Sequence, residues 1–480
     1  MLQLTAVIPE IFVAFSSMIL LVVGAFQKEN VTSFLIKAGI LILALAAWQV
    51  THFEAVSYDK PIIALNDLFI LDGFAIFMKV VVLSAAVFIM ILSFEISEVN
   101  EKMPMEFPIL VLLSVSGMMA MVSANDLMSL YMGLELQSLS LYVMTALNRD
   151  SEKSSEAGLK YFILGALASG LLLYGSSLIY GFTGTTNFSD LARIYESEEN
   201  LSLGVLFGII LVITGLCFKV SAVPFHMWTP DVYEGATKII TAFFASAPKV
   251  AAIALFTRFI LQAFEGLYMD WRQVIIFVSI ASMIVGSFGA LRQTNIKRLM
   301  AYSSIGHIGF ALVGLSAGAL GVESVVVYIT IYVVMNIGTF GCIMLMRKNG
   351  KDVEEIRDLS GIAVDRPLFA ALIAVLMLSM AGIPPLAGFI GKFFVFKAAL
   401  QANLISLAVI GVLASVVSAF YYIRIVKIMY FDKAQGQLDE EMRLGTKFVL
   451  IVSGLFNLLL FISPSPLLDA AKAAANTLFL

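Results

Sequence analysis

The sequence predicts an all-α polytopic membrane protein of about 14 transmembrane helices, with two five-helix inverted-topology repeats that each contain a broken helix. The chain of 480 residues is 60% hydrophobic and only 13% charged, whereas soluble domains are about 45–50% apolar and about 25% charged. Apolar stretches of about twenty residues recur along the chain, with short polar loops between them. Two stretches are far longer than a bilayer requires, and each carries a proline near its middle, at Pro224 and Pro384.

The first apolar segment is predicted to be a retained membrane helix and not a cleaved signal peptide. It runs from Leu2 to Phe26, has no basic residues at its start and carries Glu10 within it. It is also too long for the apolar region of a signal peptide. Further segments of the same kind follow it, and the predicted spans are 2–26, 33–50, 69–94, 107–124, 126–147, 157–181, 202–241, 243–264, 273–291, 300–318, 323–346, 366–403, 405–431 and 446–463.

Basic residues alternate between the two sets of loops that these spans create. One set contains Lys28, Arg149, Arg292, Arg347 and Lys433, whereas the loops "SAGALGVES" and "QAN" on the other side contain no basic residue. Cytoplasmic loops of membrane proteins carry the excess of Lys and Arg. Both termini are therefore expected on the outer side of the membrane.

The two overlong spans, 202–241 and 366–403, are interpreted as single broken helices. Pro224 and Pro384 are 160 positions apart, which is about the length of five helices with their loops. Because five is odd, consecutive copies would have opposite orientations, and broken helices in matched positions mark a transport site near the midplane. The predicted parts are an N-terminal segment 1–106, a first repeat 107–264 broken around 221–230, a second repeat 265–431 broken around 382–391, and a C-terminal helix in 432–480.

Four ionisable residues lie within predicted spans: Glu135, Lys219, Lys249 and Lys392. A charge at the centre of a membrane helix costs about 2.5–3.5 kcal/mol and is a functional candidate by default. Glu135 and Lys219 are predicted to pair, as a structural ion pair or as a switchable proton site. Two alternatives stay open for the other lysines, because Lys249 could snorkel to the interface and Lys392 could cap the carbonyls of its broken helix.

Three further residues are candidates for a proton relay. His226 lies in the first break and His307 lies in the tenth span, and an imidazole can pass a proton between its two nitrogens near neutral pH. A histidine hydrogen-bonded to the backbone is the alternative for each. Lys160 and Arg258 lie nearer the ends of their helices, and Arg258 is expected to snorkel.

The chain is not expected to hold a redox cofactor or to bind nucleic acid. Its two cysteines, Cys217 and Cys342, lie in separate apolar spans, and an iron–sulfur cluster requires four thiolates. A strand–Gly-x-Gly-x-x-Gly–helix nucleotide motif is also missing from the sequence. Any redox driving force must therefore come from partner proteins.

Three segments resemble signature segments of one family. "GLCFKVSAVPFHMWTPDVYEGA", "QTNIKRLMAYSSIGHIGF" and "SMAGIPPLAGFIGKFF" are similar to the antiporter-like subunits of respiratory complex I, the proton-pumping NADH:quinone oxidoreductase, and most similar to its subunit N group. The resemblance spans essentially the whole chain. It implies fourteen helices, with helices 4–8 and 9–13 as the inverted repeats, in a bacterial inner membrane with periplasmic termini.

The resemblance also implies roles for the buried charges. It identifies Glu135 as the helix-5 glutamate of the family, Lys219 and Lys249 as the lysines of helices 7 and 8, and Lys392 as the helix-12 lysine of the subunit N group. It implies proton translocation driven by partner subunits that hold NADH, FMN, iron–sulfur clusters and quinone. The neighbours would be another antiporter-like subunit and small membrane subunits.

Two other functions are weighed against this one. Multisubunit cation/proton antiporters share the fold and the lysine motif, so they are the main alternative. A free-standing solute symporter is less compatible, because the polar residues at mid-depth are mainly lysines, one carboxylate and histidines. These residues suit protons better than an organic substrate.

Overall fold

The computed structural model describes residues 5–26, 31–53, 60–100, 103–197, 202–434, 436, 438–439 and 442–479. The described residues are almost entirely helical, and two short antiparallel hairpins are the only sheets among them. An apolar core runs through the helices. The exposed side chains of the outer helices are also largely apolar, for example Phe15, Leu41 and Leu167, as expected of a protein surrounded by lipid.

The described residues of the N-terminal segment form three helices and one hairpin. The helices are α1 (Ile8–Phe26), α2 (Val31–Thr51) and α3 (Gly73–Asn100). Strand β1 (Ile62–Ala64) pairs antiparallel with β2 (Phe69–Leu71), with Ile63 opposite Ile70. Asp72 starts α3, where its carboxylate accepts a hydrogen bond from the Ala75 backbone N–H at 2.7 Å.

The helices of the predicted first repeat follow in the expected order. They are α4 (Glu106–Val122), α5 (Leu127–Thr145), α6 (Glu152–Thr183), the short connecting helix α7 (Phe188–Ser197), α8 (Leu203–Val220), α9 (Trp228–Gly235), α10 (Lys238–Phe244) and α11 (Ala247–Ala263). Asp126 caps α5 by accepting from the Met128 N–H at 2.6 Å, and Ser151 caps α6 by accepting from the Ser154 N–H. Gly184 ends α6 with a left-handed φ of 77°, a conformation that glycine adopts at little cost.

The remaining helices form the predicted second repeat and the C-terminal part. They are α12 (Tyr268–Leu291), α13 (Ile296–Ser316), α14 (Val322–Met344), α15 (Ile362–Asp365), α16 (Pro367–Ala381), α17 (Ala387–Gln401), α18 (Ile405–Phe431), α19 (Leu444–Ile462) and α20 (Ser465–Asn476). Strands β3 (Arg347–Lys348) and β4 (Lys351–Asp352) form a hairpin between α14 and α15. The terminal helix α20 was not predicted from the sequence.

Each predicted span coincides with one or two helices of the structure, except that 202–241 covers α8, α9 and the start of α10. Among the described residues, 11 helices are long and apolar enough to cross a membrane by length and composition. The shorter apolar helices α4 and α16 and the 19-residue helix α5 add to these. With α16 and α17 counted as one broken span, the structure is compatible with fourteen spans. The start of the eighth span is corrected: α10 and α11 together form Lys238–Ala263, which begins five residues before the predicted 243 because the chain leaves α9 at the extended residue Ala236. Helices α6 and α12 likewise begin five residues before the predicted 157 and 273.

Both broken helices are present among the described residues. In the first, α8 is followed by Ser221, whose φ is 67°, and in the second, α16 is followed by Gly382, whose φ is 84°. The breaks close at Met227 and Leu386, a few residues before the predicted 230 and 391. Each break therefore exposes the carbonyl end of its first half-helix to neighbouring side chains.

Close contacts between helices depend on glycine in both halves. A Cβ atom on Gly117 of α4 would lie 2.6 Å from the backbone nitrogen of Gln137 on α5, and one on Gly286 of α12 would lie 2.4 Å from that of Gly306 on α13. Small residues permit this close approach of membrane helices. The first two helices of each predicted repeat therefore cross at a glycine.

Candidate functional site

Lys219 occupies the last turn of α8 and is buried, with 9% of its surface exposed. Its Nζ atom donates to Ser138 Oγ at 2.7 Å and to Tyr142 OH at 3.2 Å. Both partners belong to α5, and the Tyr142 ring centroid lies 5.6 Å from the ammonium group. Lys219 is thus held by two hydroxyl groups and an aromatic ring.

The structure does not place Glu135 and Lys219, which the sequence analysis predicts to pair, in direct contact. No ion pair joins them in the described part of the chain, and Glu135 Oε1 is buried without a hydrogen-bond partner among the described residues. Ser138 and Tyr142 follow Glu135 on α5 at i+3 and i+7, which are positions on the same face of a helix. Their hydroxyl groups occupy the contact that the sequence analysis assigned to the carboxylate.

Lys249 is buried and does not snorkel. It is 1% exposed and lies inside the continuous apolar span Lys238–Ala263. Its Nζ atom donates to the Val220 carbonyl at 2.7 Å and to Ser221 Oγ at 2.6 Å. Both acceptors lie at the end of α8, where the helix dipole favours a cation.

Lys392 makes a similar interaction in the second half of the chain. It is 5% exposed and donates to the Ala381 carbonyl at 2.9 Å and to Ser415 Oγ at 2.8 Å. The capping interaction considered in the sequence analysis is therefore present. In both halves a buried lysine binds the carbonyl end of the first half-helix and one serine hydroxyl. A cavity of about 710 Å³, lined by Phe393 and Ser415 among others, opens beside Lys392.

His307 is part of a buried hydrogen-bond chain. Its Nδ1 atom lies 2.6 Å from Tyr328 OH and its Nε2 atom lies 3.0 Å from Tyr422 OH. Tyr422 OH in turn bonds Ser303 Oγ at 2.5 Å. The partners of His307 are side-chain hydroxyl groups and not the backbone. Both of its ring nitrogens therefore have partners that can exchange protons.

The other two relay candidates lie in different surroundings. His226 lies within the first break and is half-buried. The Lys160 side chain is 44% exposed and forms ion pairs with Glu156 at 2.7 Å and with Asp231 at 3.1 Å. Lys160 is thus part of a charged surface cluster, and the structure does not bring it into contact with the buried lysines.

Several hydroxyl groups lie between the first break and His307. Ser304 Oγ is close to both Tyr233 OH and Tyr332 OH, yet all three atoms are buried without a hydrogen-bond partner among the described residues. The Tyr332 ring centroid lies 5.1 Å from that of His307. Tyr233 of α9, Ser304 and Tyr332 are thus buried polar side chains in the region between the first break and His307.

The sequence analysis missed two buried ion pairs. Lys79 Nζ lies 2.5 Å from Glu10 Oε1, and Arg258 binds both carboxylate oxygens of Asp72, at 2.9 and 2.8 Å. Arg258 is 0% exposed, so the expectation that it snorkels is wrong. Lys79 could have been identified as a buried charge from the sequence, because it lies well inside the predicted span 69–94.

These features define a class of protein. The fold is that of a helical membrane protein with two broken helices in matched positions and a buried lysine at each break, the architecture of repeat-containing ion transporters. The family described as NADH:quinone oxidoreductase/Mrp antiporter, TM, matches residues 124–418. The chain belongs to this family and, within it, to the subunit N group of NADH-quinone oxidoreductases.

Relatives and solved structures support this assignment. The chain is 53% identical over 474 residues to NADH-quinone oxidoreductase subunit N of Rhodospirillum rubrum, covering 98% of this chain and 96% of that protein. It is 51% identical over 472 residues to the subunit N of Parvibaculum lavamentivorans, covering 98% and 97%.

Among solved structures, respiratory complex I from Thermus thermophilus contains a chain with a TM-score of 0.82 and 28% identity, covering 97% of this chain and 99% of that one. A chain of the Mrp complex from Dietzia sp. has a TM-score of 0.87 at 22% identity, covering 99% and 97%. At 22% identity, the similarity to the Mrp chain shows only that the two chains share a fold.

Proposed function

We propose that the chain is a proton-translocating membrane subunit of an NADH:quinone oxidoreductase. The observation that supports this most strongly is the series of three buried lysines, Lys219, Lys249 and Lys392, whose hydrogen-bond partners among the described residues are hydroxyl groups and backbone carbonyls. Desolvation disfavours the charged form of any buried ammonium group. Without a paired carboxylate, each of these lysines can lose and regain its proton.

The proposed path runs through both halves of the molecule. A proton on Lys219 passes across the first break to Lys249, which binds the end of the same half-helix. From there the hydroxyl groups of Tyr233, Ser304 and Tyr332, bridged by water that buried polar sites commonly bind, lead to His307 and on to Lys392. Glu135 acts on Lys219 through its charge and not through direct contact. His226, at the break, and Lys160, at the surface, are further relay candidates.

The driving force comes from other subunits. The partners proposed are subunits that hold NADH, FMN, iron–sulfur clusters and quinone, an adjacent antiporter-like subunit and small membrane subunits. The chain carries none of that redox chemistry itself. The proposed location is a bacterial inner membrane with both termini in the periplasm, an orientation that the distribution of basic residues among the loops supports. The two proposed repeats are 107–264 and 265–431.

Isolation of the intact assembly tests this function. With a tag on the chain and extraction in mild detergent, the subunits of an NADH dehydrogenase should copurify. Deletion of the chain should abolish proton pumping coupled to NADH:quinone oxidoreduction. A set of small membrane subunits without NADH dehydrogenase, or full coupled pumping after deletion, would contradict the proposal and favour the multisubunit cation/proton antiporter.

A further inference from the structure

Charged side chains from both halves of the chain meet on the half-helix α9. We call Lys153, Lys160, Asp231, Glu234, Lys297 and Arg298 the inter-repeat clamp. Arg298, in the first turn of α13, donates from NH1 to Asp231 Oδ1 at 3.0 Å and to Glu234 Oε2 at 2.9 Å. Its neighbour Lys297 donates to the carbonyls of Glu234 at 2.7 Å and Ala236 at 2.9 Å. The second half of the chain thus binds both the side chains and the C-terminal end of α9.

The same two carboxylates are also bound from the first half. Lys160 of α6 contacts Asp231 at 3.1 Å, and Lys153 contacts Glu234 at 3.2 Å. The lysine side chains are 44% and 74% exposed, whereas that of Arg298 is 32% exposed. Exposed ion pairs contribute little, so the Arg298 and Lys297 contacts are the stronger part of the clamp.

The position of α9 depends on such contacts. It has only eight residues, Trp228–Gly235, and is separated from α8 by the break and from α10 by the extended residue Ala236. A helix this short is marginal in isolation. Its place relative to the membrane helices is therefore set by side-chain contacts.

A continuous series of contacts connects α9 to Lys219. Trp228 of α9 donates from Nε1 to the Phe218 carbonyl at 3.0 Å, beside Lys219. The Trp228 ring also stacks on Tyr161, with centroids 4.4 Å apart and an interplanar angle of 14°. Tyr161 meets Tyr142 edge-on at 4.7 Å, and Tyr142 OH accepts from Lys219.

We propose that Arg298 is a positioning residue through which the second half of the chain sets the hydrogen bonds of Lys219 in the first half. This inference rests on the proposed role of Lys219 in proton translocation. Arg298 does not touch Lys219. It acts through Asp231 and Glu234 on α9, and then through the Trp228–Tyr161–Tyr142 series. A change of conformation in the second half thereby reaches the proton site of the first.

A double-mutant cycle tests the route. Arg298→Gln, Tyr161→Leu and the double variant are compared in closed membrane vesicles with equal amounts of assembled complex, by proton uptake per NADH oxidised. Arg298→Gln is expected to lower this ratio several-fold and Arg298→Lys to restore most of it. If Arg298 acts through Tyr161, Arg298→Gln has no further effect in the Tyr161→Leu background, since residues in one network are not additive.

Control variants distinguish a failure of the positioning role of Arg298 from a failure of the proposed function. Lys427→Gln removes an ion pair with Asp432 within the end region of α18, and it should pump normally. Independent, multiplying effects of Arg298→Gln and Tyr161→Leu, or a normal ratio for Arg298→Gln, would overturn the positioning role. Should Arg298→Gln not assemble, Asp231→Asn replaces it in the cycle under the same criteria. Lys219→Arg is measured alongside: full pumping by that variant would overturn the proposed function instead.

Discussion

The buried pair Glu10–Lys79 allows the cost of an unpaired charge to be measured apart from packing. Both side chains are buried, with 7% and 0% exposed, and Lys79 Nζ also lies 4.7 Å from the Phe69 ring centroid. Lys79→Met leaves the Glu10 carboxylate buried without its partner. Breaking a buried pair in this way costs about 3–5 kcal/mol, whereas replacing both members by apolar residues is often neutral. Glu10→Leu/Lys79→Met should therefore recover most of the loss.

The pair Asp72–Arg258 supplies the comparison. Arg258 also donates from Nε to the Val122 carbonyl at 3.1 Å and from NH1 to Gln262 at 3.1 Å. Asp72→Leu/Arg258→Met leaves that buried carbonyl without its donor, which costs about 1–3 kcal/mol. Replacing both members should therefore restore most of the stability at Glu10–Lys79 and only part of it at Asp72–Arg258.

The assay measures the half-life of the assembled complex in mild detergent at a fixed elevated temperature. The amount of this chain that stays in the complex is determined over time. The wild type and Glu10→Leu/Lys79→Met are expected to have the longest half-lives. Asp72→Leu/Arg258→Met should have a shorter half-life, and Lys79→Met the shortest. A Glu10→Leu/Lys79→Met variant as labile as Lys79→Met would refute the reasoning, because the loss would then not arise from the unpaired charge.

Three further predictions concern topology, packing and the surface. Probes at both termini should react from the periplasmic side only and a probe at 347–357 from the cytoplasmic side only; a cytoplasmic C-terminus would contradict the helix count. Gly286→Leu should prevent assembly, because its Cβ would meet the Gly306 backbone at 2.4 Å, while Gly170→Leu, with nothing within 4 Å, should assemble normally in the same pull-down. Lys160→Gln should reduce pumping far less than Lys219→Ala in vesicle assays, since Lys160 is exposed; an equal loss would assign it a role in the relay.

Helix positions were accessible from the sequence because apolar spans and proline breaks are local features. The breaks around 221 and 382 follow from Pro224 and Pro384, and the left-handed residues that precede these prolines lie at the predicted positions. The buried status of Lys219 and Lys392 likewise follows from their place in long apolar spans. These features require no knowledge of which helices pack together.

The partners of the buried charges were not accessible in the same way. Lys219 binds Ser138 and Tyr142 and not Glu135, a choice that depends on the rotation of α5 against α8. Arg258 reaches Asp72, 186 positions away in the sequence, and only the packing of α3 against α11 brings the two together. Lys249 was placed too near its helix end because the start of the eighth span was predicted at 243 and lies at Lys238.

Proton uptake by the Lys219→Arg variant tests the central claim most directly. Arginine keeps the charge and can donate to Ser138 and Tyr142, but it does not deprotonate in proteins. Lys397→Arg on the exposed side of α17 is the matched control for the change of side chain. In closed vesicles with equal amounts of assembled complex, Lys219→Arg should lose most proton uptake while Lys397→Arg retains it. Full pumping by Lys219→Arg would show that Lys219 is structural and contradict the account.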